Sequence, residues 1–437
     1  MIVQTVIDIE RIQKKMENEV SYVAPIFVDQ HLHPTVNELS SLHILFDDNE
    51  YVCIPFNHPD GIPLNIDVTN AKKMVTLYKR ELLHAFPKLD TSRVDDVAVM
   101  LHLSSTNIPE IREYYTPNIQ RTLQQFQFKN LHLSVPIMVW MEYAHKLLGY
   151  IRDQYKKEQP SGFEFINNTV IPTLTTIERS GLHINPTAFA EHFTEDSRKY
   201  LRHNMFYSEY NPYTSTGRPS NRYGGVNFAA LNKHDGSRTA FDSRYGDDGI
   251  LLQLDYEAFH PRLIANQLNY QLPTSSVHQY LAEQYYNTKN ITEDQYEAAK
   301  QRTFALMYGT SDDDGNVEFF YKVKKYTKQL WEEYQKNGYI IGNSGKKIIV
   351  ENPSPNKVFN YMVQWTETEQ AMTRISSVCE FLRGKLTKPI LYTYDALLLD
   401  VHRSEAAIIP RIRYLLENET YPTRMYKGKN YNELISV

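Results

Sequence analysis

Ile250-Leu251-Leu252-Gln253-Leu254-Asp255-Tyr256 is an aliphatic run that closes on a carboxylate. Far downstream, Ile390-Leu391-Tyr392-Thr393-Tyr394-Asp395-Ala396-Leu397-Leu398-Leu399 is a second apolar run with a carboxylate inside it. Short apolar runs bounded by polar turns predict buried strands. An ionised carboxylate in such a strand is costly unless it is paired or holds a metal. One aspartate at a strand end is an ordinary cap or turn residue. Two of them, flanking a basic-aromatic segment, point to ligands for a pair of divalent cations, the arrangement behind in-line phosphoryl displacement. Hard oxygen donors select Mg²⁺, with Mn²⁺ as its substitute. No Cys/His spacing suggests zinc.

The segment between the two runs is Lys300-Gln301-Arg302-Thr303-Phe304-Ala305-Leu306-Met307-Tyr308-Gly309. Lys300, Phe304 and Tyr308 recur at four-residue intervals, so they share one helix face. Alone, that pattern is an amphipathic face with a snorkelling lysine stem. Beside two candidate metal ligands it reads better as a nucleotide-binding surface, with Lys300 on phosphates and Phe304 and Tyr308 on sugar and base. His278 and Arg302 are further candidates, and a solvated Arg302 fits the pattern equally well.

The 437 residues suit two or three domains. With 41% hydrophobic and 23% charged residues, the composition is that of a globular protein with a sizeable core. No apolar run reaches the roughly 18 residues of a membrane span, and the N-terminus lacks the pattern of a signal peptide. Two cysteines, Cys53 and Cys379, make no disulfide framework and fit a reducing cytoplasm. The net charge of −5 argues against nonspecific coating of nucleic acid but allows a locally basic site. Some of the 32 tyrosines could stack on bases, at about 1–3 kcal/mol per base.

Along the chain, residues 1–20 predict an amphipathic helix, and 26–28, 42–46 and 51–56 predict strands. Helices are predicted from about 70 to 158, followed by a linker at Lys156-Lys157-Glu158-Gln159-Pro160-Ser161-Gly162. Residues 210–245 read as loop. Helices are expected over 276–288, 293–308 and 315–337, then a hairpin over 338–350, a long helix over 356–382 and a tight hairpin over 389–401 with Asp395 near its bend.

In this order the residues resemble family A DNA polymerases, the group of bacterial DNA polymerase I and many phage replicases. Asp255-Tyr256-Glu257-Ala258-Phe259-His260-Pro261-Arg262 resembles the first motif, commonly DYSQIELR. Lys300 to Gly309 resembles RxxxKxxxFxxxYG, and Thr393-Tyr394-Asp395-Ala396 stands where the family has VHDE. Thr214-Ser215-Thr216-Gly217-Arg218-Pro219-Ser220 resembles TATGRLS, and Phe359-Asn360-Tyr361-Met362-Val363-Gln364 resembles FNMPVQ. The hairpin from Gly338-Tyr339 to Lys346-Lys347 and the ending Lys427-Gly428-Lys429-Asn430-Tyr431 resemble GYVxTxxGRRR and KxGxNW. The similarity covers about 163–437.

The resemblance implies an α+β polymerase right hand: a palm with an antiparallel sheet, helical fingers and a reduced thumb. A small α/β, ribonuclease H-like, degenerate exonuclease domain precedes it. The expected bounds are 1–158 for the exonuclease-like domain, 163–275 for palm with a vestigial thumb at about 187–212, 276–354 for fingers and 355–437 for palm. It implies template-directed addition of deoxynucleoside triphosphates to a primer 3′-OH. Asp255, Asp395 and the Tyr256 carbonyl would hold two Mg²⁺, with Lys300 stabilising charge. Tyr256, His260, His278, Arg302, Phe304 and Tyr308 would meet the nucleotide, and Arg218, Asn227, Arg238, Asn360, Gln364 and Tyr394 the primer–template. A processivity or replisome protein is a further expected partner, and a bacterial host cytoplasm the expected location if the chain is phage-encoded.

Departures from the pattern carry information. His260 replaces the glutamate that crowds the sugar 2′ position, Tyr296 the first arginine of the nucleotide-binding helix, Ala396 the second acid of the last motif and Tyr394 its histidine. Phosphate grip is expected to shift to Arg302 or Lys300. Only about 25 residues separate Pro186 from Tyr213, which leaves little room for a thumb. In the N-terminal part Phe27-Val28-Asp29-Gln30-His31 stands where a proofreading domain has FDxE. A lone Asp29 does not hold two metals, so no proofreading is expected. Two other readings stay open: a primase-like or RNA-synthesising polymerase, and an inactive DNA-binding subunit.

Overall fold

The computed structural model describes residues 2–3, 5–29, 32–104, 135–194, 197, 200–221, 226–309 and 317–437. They form two compact units: residues 1–181, 193–213 and 222–226 in the first, and residues 182–192, 214–221 and 227–437 in the second. The first unit thus continues past the 156–162 linker. His31 lies outside the described residues.

In the first unit, helix α1 (Val6–Asn18) starts at Thr5, whose hydroxyl caps the Asp8 N–H, and buries Ile9, Ile12 and Met16 at helical spacing. Strands β1 (Val20–Phe27), β2 (Leu39–Phe46), β3 (Tyr51–Pro55), β4 (Lys73–Thr76) and β5 (Val94–Asp96) form one sheet in the order β3-β2-β1-β4-β5. β1 to β3 are antiparallel, whereas β1–β4 and β4–β5 are parallel. This is the ribonuclease H-like arrangement. The strands are buried almost end to end because both faces are covered. Val23, Leu42 and Ile44 face α1 and helix α2 (Lys79–Ala85), while Tyr22, Ala24 and Leu45 face Leu148 and Ile151.

Two strands correct the expectation of helix throughout 70–158. Lys73-Met74-Val75-Thr76 and Val94-Asp95-Asp96 are too short to show an alternating pattern, and they pair in parallel with strands distant in sequence. Asp95 and Asp96 are buried there and fully engaged. Asp96 accepts from the N–H groups of Lys79 and Val99 at 2.8 and 2.9 Å, capping helix α3 (Val97–Ser104), and Asp95 takes Lys73 and the Tyr155 hydroxyl at 2.7 Å each. Helix α4 (Ile137–Tyr155) covers the sheet, and α5 (Ile171–Ser180) packs on α2.

The second unit is built on a five-stranded antiparallel sheet. After the short strand β6 (Leu182–Ile184), helix α6 (Pro186–His192) and strand β7 (Phe241–Asp242), the central strand β8 (Gly249–Tyr256) leads into helix α7 (Phe259–Gln267). Helices α8 (Val277–Tyr286), α9 (Glu293–Met307) and α10 (Glu318–Asn337) follow, then the hairpin β9 (Ile340–Ile341) and β10 (Lys347–Ile348). The long helix α11 (Pro355–Phe381) precedes β11 (Lys388–Thr393), β12 (Ala396–His402), helix α12 (Ile409–Leu416), β13 (Thr423–Gly428) and β14 (Ile435–Ser436). The sheet order is β11-β12-β8-β13-β14. Local signals set the boundaries: Thr292 and Gln295 form a capping box on α9, and Ser354 with Pro355 opens α11. No helix of the described residues is long and apolar enough to cross a membrane.

Candidate active site

The β8 register places Asp255 opposite Ala396 on one side and Arg424 on the other. The turn between β11 and β12 is closed by the Asp395 N–H donating to the Thr393 carbonyl at 2.8 Å. It is tied to β8 by the Tyr256 N–H donating to the Asp395 carbonyl at 2.9 Å. One backbone bond therefore brings Asp255 and Asp395 together. The turn forces Tyr394 to φ +63, a left-handed conformation that costs a non-glycine residue about 1 kcal/mol. The Arg218 guanidinium covers the Tyr394 ring at 4.2 Å.

The two carboxylates disturb each other. Burial first, and then the negative charge of Asp395, push Asp255 up to about 7. Asp395 lies at the exposed bend, yet its carboxyl is also raised, by burial and then by Glu367. Two oxygen donors whose ionised forms are disfavoured in this way suit a hard divalent cation, which would relieve both burial and repulsion. The Tyr256 ring is buried, stacked on Phe259 at 4.2 Å, and its hydroxyl donates to the Leu416 carbonyl at 2.9 Å. Only the backbone of Tyr256 is left for a ligand.

Beneath the aspartates lies a group that the sequence reading missed. Glu367 on α11 is 1% exposed and accepts from Arg218 Nε at 2.5 Å and contacts His260 Nε2 at 3.1 Å. Burial alone would raise its pKa, but His260 and Arg218 together outweigh burial and hold it below the usual carboxylate range. His260 Nδ1 in turn bonds the Tyr308 hydroxyl. One chain of contacts thus runs from Tyr394 through Arg218, Glu367 and His260 to Tyr308. A signal for Glu367 was present: Asn360, Gln364 and Glu367 fall on one face of α11, and Gln364 Nε2 donates to Asn360 Oδ1 at 3.0 Å. Gly217, at φ +76, precedes Arg218 because a Cβ there would lie 2.0 Å from the Trp365 ring.

On α9, Lys300 and Phe304 are exposed, and Tyr308 caps the helix end against Phe359 at 6.3 Å. Gly309 takes φ +71, where a Cβ would meet the Asn356 amide at 2.4 Å. His278 lies buried between Tyr296 and Phe304, at ring distances of 6.2 and 6.1 Å. Burial lowers its pKa, and Lys300 and Arg424 add to that effect. Arg302 instead stacks on Tyr285 at 4.6 Å. Arg238 donates to the Leu231 carbonyl at 2.9 Å and covers Tyr431 at 4.6 Å, while Asn227 opens a single 3₁₀ turn.

The first unit holds a different ionisable cluster. His33, His84 and Glu178 are buried, with possible metal-ligating atoms within 4.8 Å of one another. Their capacity is already used. His33 meets the Ser208 carbonyl at 3.1 Å and the Thr35 N–H at 3.2 Å, and His84 meets Thr35 Oγ1 at 3.0 Å and Glu178 at 2.9 Å. Glu178 also takes Arg80 and the Tyr210 N–H at 2.7 Å each. An arginine on the carboxylate and four engaged imidazole nitrogens describe an internal network rather than a metal site.

No protein-family model and no curated protein matches this chain. Among solved structures it is similar to the POL domain of Pol1 from M. smegmatis in complex with DNA primer-template and dNTP. The TM-score is 0.71 at 12% identity, over 99% of this chain and 99% of that one. The likeness is one of fold, and the fold is that of a polymerase domain.

Proposed function

We propose that this chain is a template-directed DNA polymerase that extends a primer 3′-OH with deoxynucleoside triphosphates. The observation that carries the reading is the pair Asp255, near the end of β8, and Asp395, in the turn of the neighbouring β11–β12 hairpin, both with raised proton affinity, in a polymerase-domain fold. Asp255, Asp395 and the Tyr256 carbonyl would hold two Mg²⁺. Bound there, the ions would lower the pKa of the primer hydroxyl and neutralise charge on the leaving pyrophosphate. Lys300 would meet the phosphates. Phe304 and Tyr308 would bound the base and sugar, with His260 set by Tyr308 and Glu367 at the sugar edge. Arg218, Asn227, Arg238, Asn360, Gln364 and Tyr394 would position primer and template. Phosphate contacts set register, not sequence, so no sequence-specific binding is part of the proposal.

The first unit is proposed to be structural, or to bind DNA or a partner, and to lack proofreading activity. In support, Asp95 and Asp96 are consumed by helix capping and ion pairing. A small phage- or plasmid-type replicase is the proposed setting. Among the described residues of 186–212 are the seven-residue helix Pro186–His192 and short strands, which favours low processivity unless a partner substitutes. The test is extension of a primed DNA template with Mg²⁺, in parallel with deoxy- and ribonucleotides. Extension with deoxynucleotides alone supports the proposal. Comparable use of ribonucleotides shifts it to a primase-like enzyme, and extension with neither overturns it.

A further inference from the structure

Arg424 stands on β13 directly across the ladder from Asp255. Opposed residues of an antiparallel pair project from the same face, so its side chain shares the face of the Asp255 carboxylate, and it is 43% exposed. Its guanidinium rests on Glu257 at 3.1 Å and bonds the Tyr296 side chain. Glu257 does not need this contact. Its carboxylate is already held by the buried Arg262, at 2.6 and 3.0 Å, and by the Val277 N–H at 3.1 Å. The Glu257–Arg262 pair is neutral, which leaves Arg424 as a surplus cation beside two acidic residues that favour a dication. Lys300 and Arg424 both bear on His278, whose buried Nδ1 has no hydrogen-bond partner among the described residues. An exposed guanidinium and an exposed ammonium thus bear on one buried imidazole, and Arg424 links this group to Asp255 across the ladder.

We propose that Arg424 is a triphosphate-binding residue which, with Lys300 and His278, takes the terminal phosphates of the incoming nucleotide. This rests on the polymerase reading above. It assigns to the sheet the grip that α9, with Tyr296 in place of an arginine, does not supply. The planar fork of an arginine matches phosphate oxygens bidentately. When Arg424 turns from Glu257 to a phosphate, Arg262 still neutralises Glu257, so no buried charge is stranded.

The test compares Arg424→Ala, Arg424→Gln and Arg424→Lys with the wild type in three assays: single-nucleotide incorporation, pyrophosphorolysis with inorganic pyrophosphate, and primer–template binding without nucleotide. The KM values for deoxynucleotide and pyrophosphate are expected to rise together by about 10- to 100-fold in the Ala and Gln variants. Lys should recover part of the loss, and DNA affinity should not change. Unchanged KM for both phosphate ligands overturns the proposal, as does a fall in Tm or DNA affinity without a KM change. Equilibrium binding of a fluorescent deoxynucleoside triphosphate separates this idea from its premise. Arg424-dependent binding by a chain that never extends a primer would sink the polymerase reading and keep this one. Arg424-independent binding by an extending chain would do the reverse.

Discussion

The first unit's ionisable cluster and the second unit's contain similar residues in opposite states. Around Glu178, an arginine, two imidazoles and a backbone N–H satisfy the carboxylate. Burial would raise it, yet Arg80, His84 and His33 hold it at about 2. Around Asp255 and Asp395 the balance goes the other way: burial and like charge win, and Asp255 is pushed up to about 7. The difference separates a carboxylate satisfied by its neighbours from a pair whose ionised forms are disfavoured. The first cluster brings two histidines and an acid close together, but the chemistry of the partners makes the second the candidate site.

The largest expected effect tests that division directly. Asp255→Ala and Asp395→Ala should each abolish Mg²⁺-dependent incorporation, by on the order of 10³-fold or more, with Tm unchanged or higher, since each removes one of two carboxylates that repel each other. Activity within tenfold of wild type in either variant, by steady-state incorporation, breaks the comparison. In the first unit, Glu178→Ala should leave Arg80 short of its buried partner and cost about 3 kcal/mol of stability in denaturant unfolding. Adding Zn²⁺ to the wild type should not raise its Tm.

Glu367 sharpens the contrast, because it is a satisfied carboxylate inside the candidate site. Glu367→Gln should leave the fold intact, loosen Arg218 and His260, and reduce incorporation by on the order of 10²-fold, with a change in the ratio of deoxy- to ribonucleotide use. An unchanged ratio would remove Glu367 from the sugar edge. The smallest effect is one of pH. Burial, the leading cause, lowers His84 to about 4, so the folded state prefers the neutral ring. That contribution is fully present above the ordinary histidine value of about 6.5 and is lost as pH falls toward 4, at about 1–2 kcal/mol by pH 5. Hydrogen exchange should show first-unit amides losing protection over that range, and His84→Gln should flatten the trend.

Much of the second unit was legible because its signals are local. The strand ending on Asp255, the hairpin around Asp395 and helices α8 to α11 follow from apolar runs, caps and turn residues close in sequence. The reading was weaker where partners are distant. The local pattern does not show β4 and β5, whose parallel neighbours lie far along the chain. Nor does it show that the Arg302 guanidinium lies over Tyr285. Arg424 went unnoticed because its closeness to Asp255 exists only in the sheet register.

By itself the sequence determined which residues could carry charge chemistry and which segments would be strand or helix, since both depend on residue type and on periodicities of two or about four positions. Only the tertiary structure decided which charges are satisfied. Glu178 and Glu367 are both buried carboxylates that arginine and histidine hold ionised, whereas at Asp255 and Asp395 burial and like charge outweigh the nearby cations and raise the proton affinity. Proton affinity depends on burial and on every charge nearby, and those neighbours come together only when the chain folds.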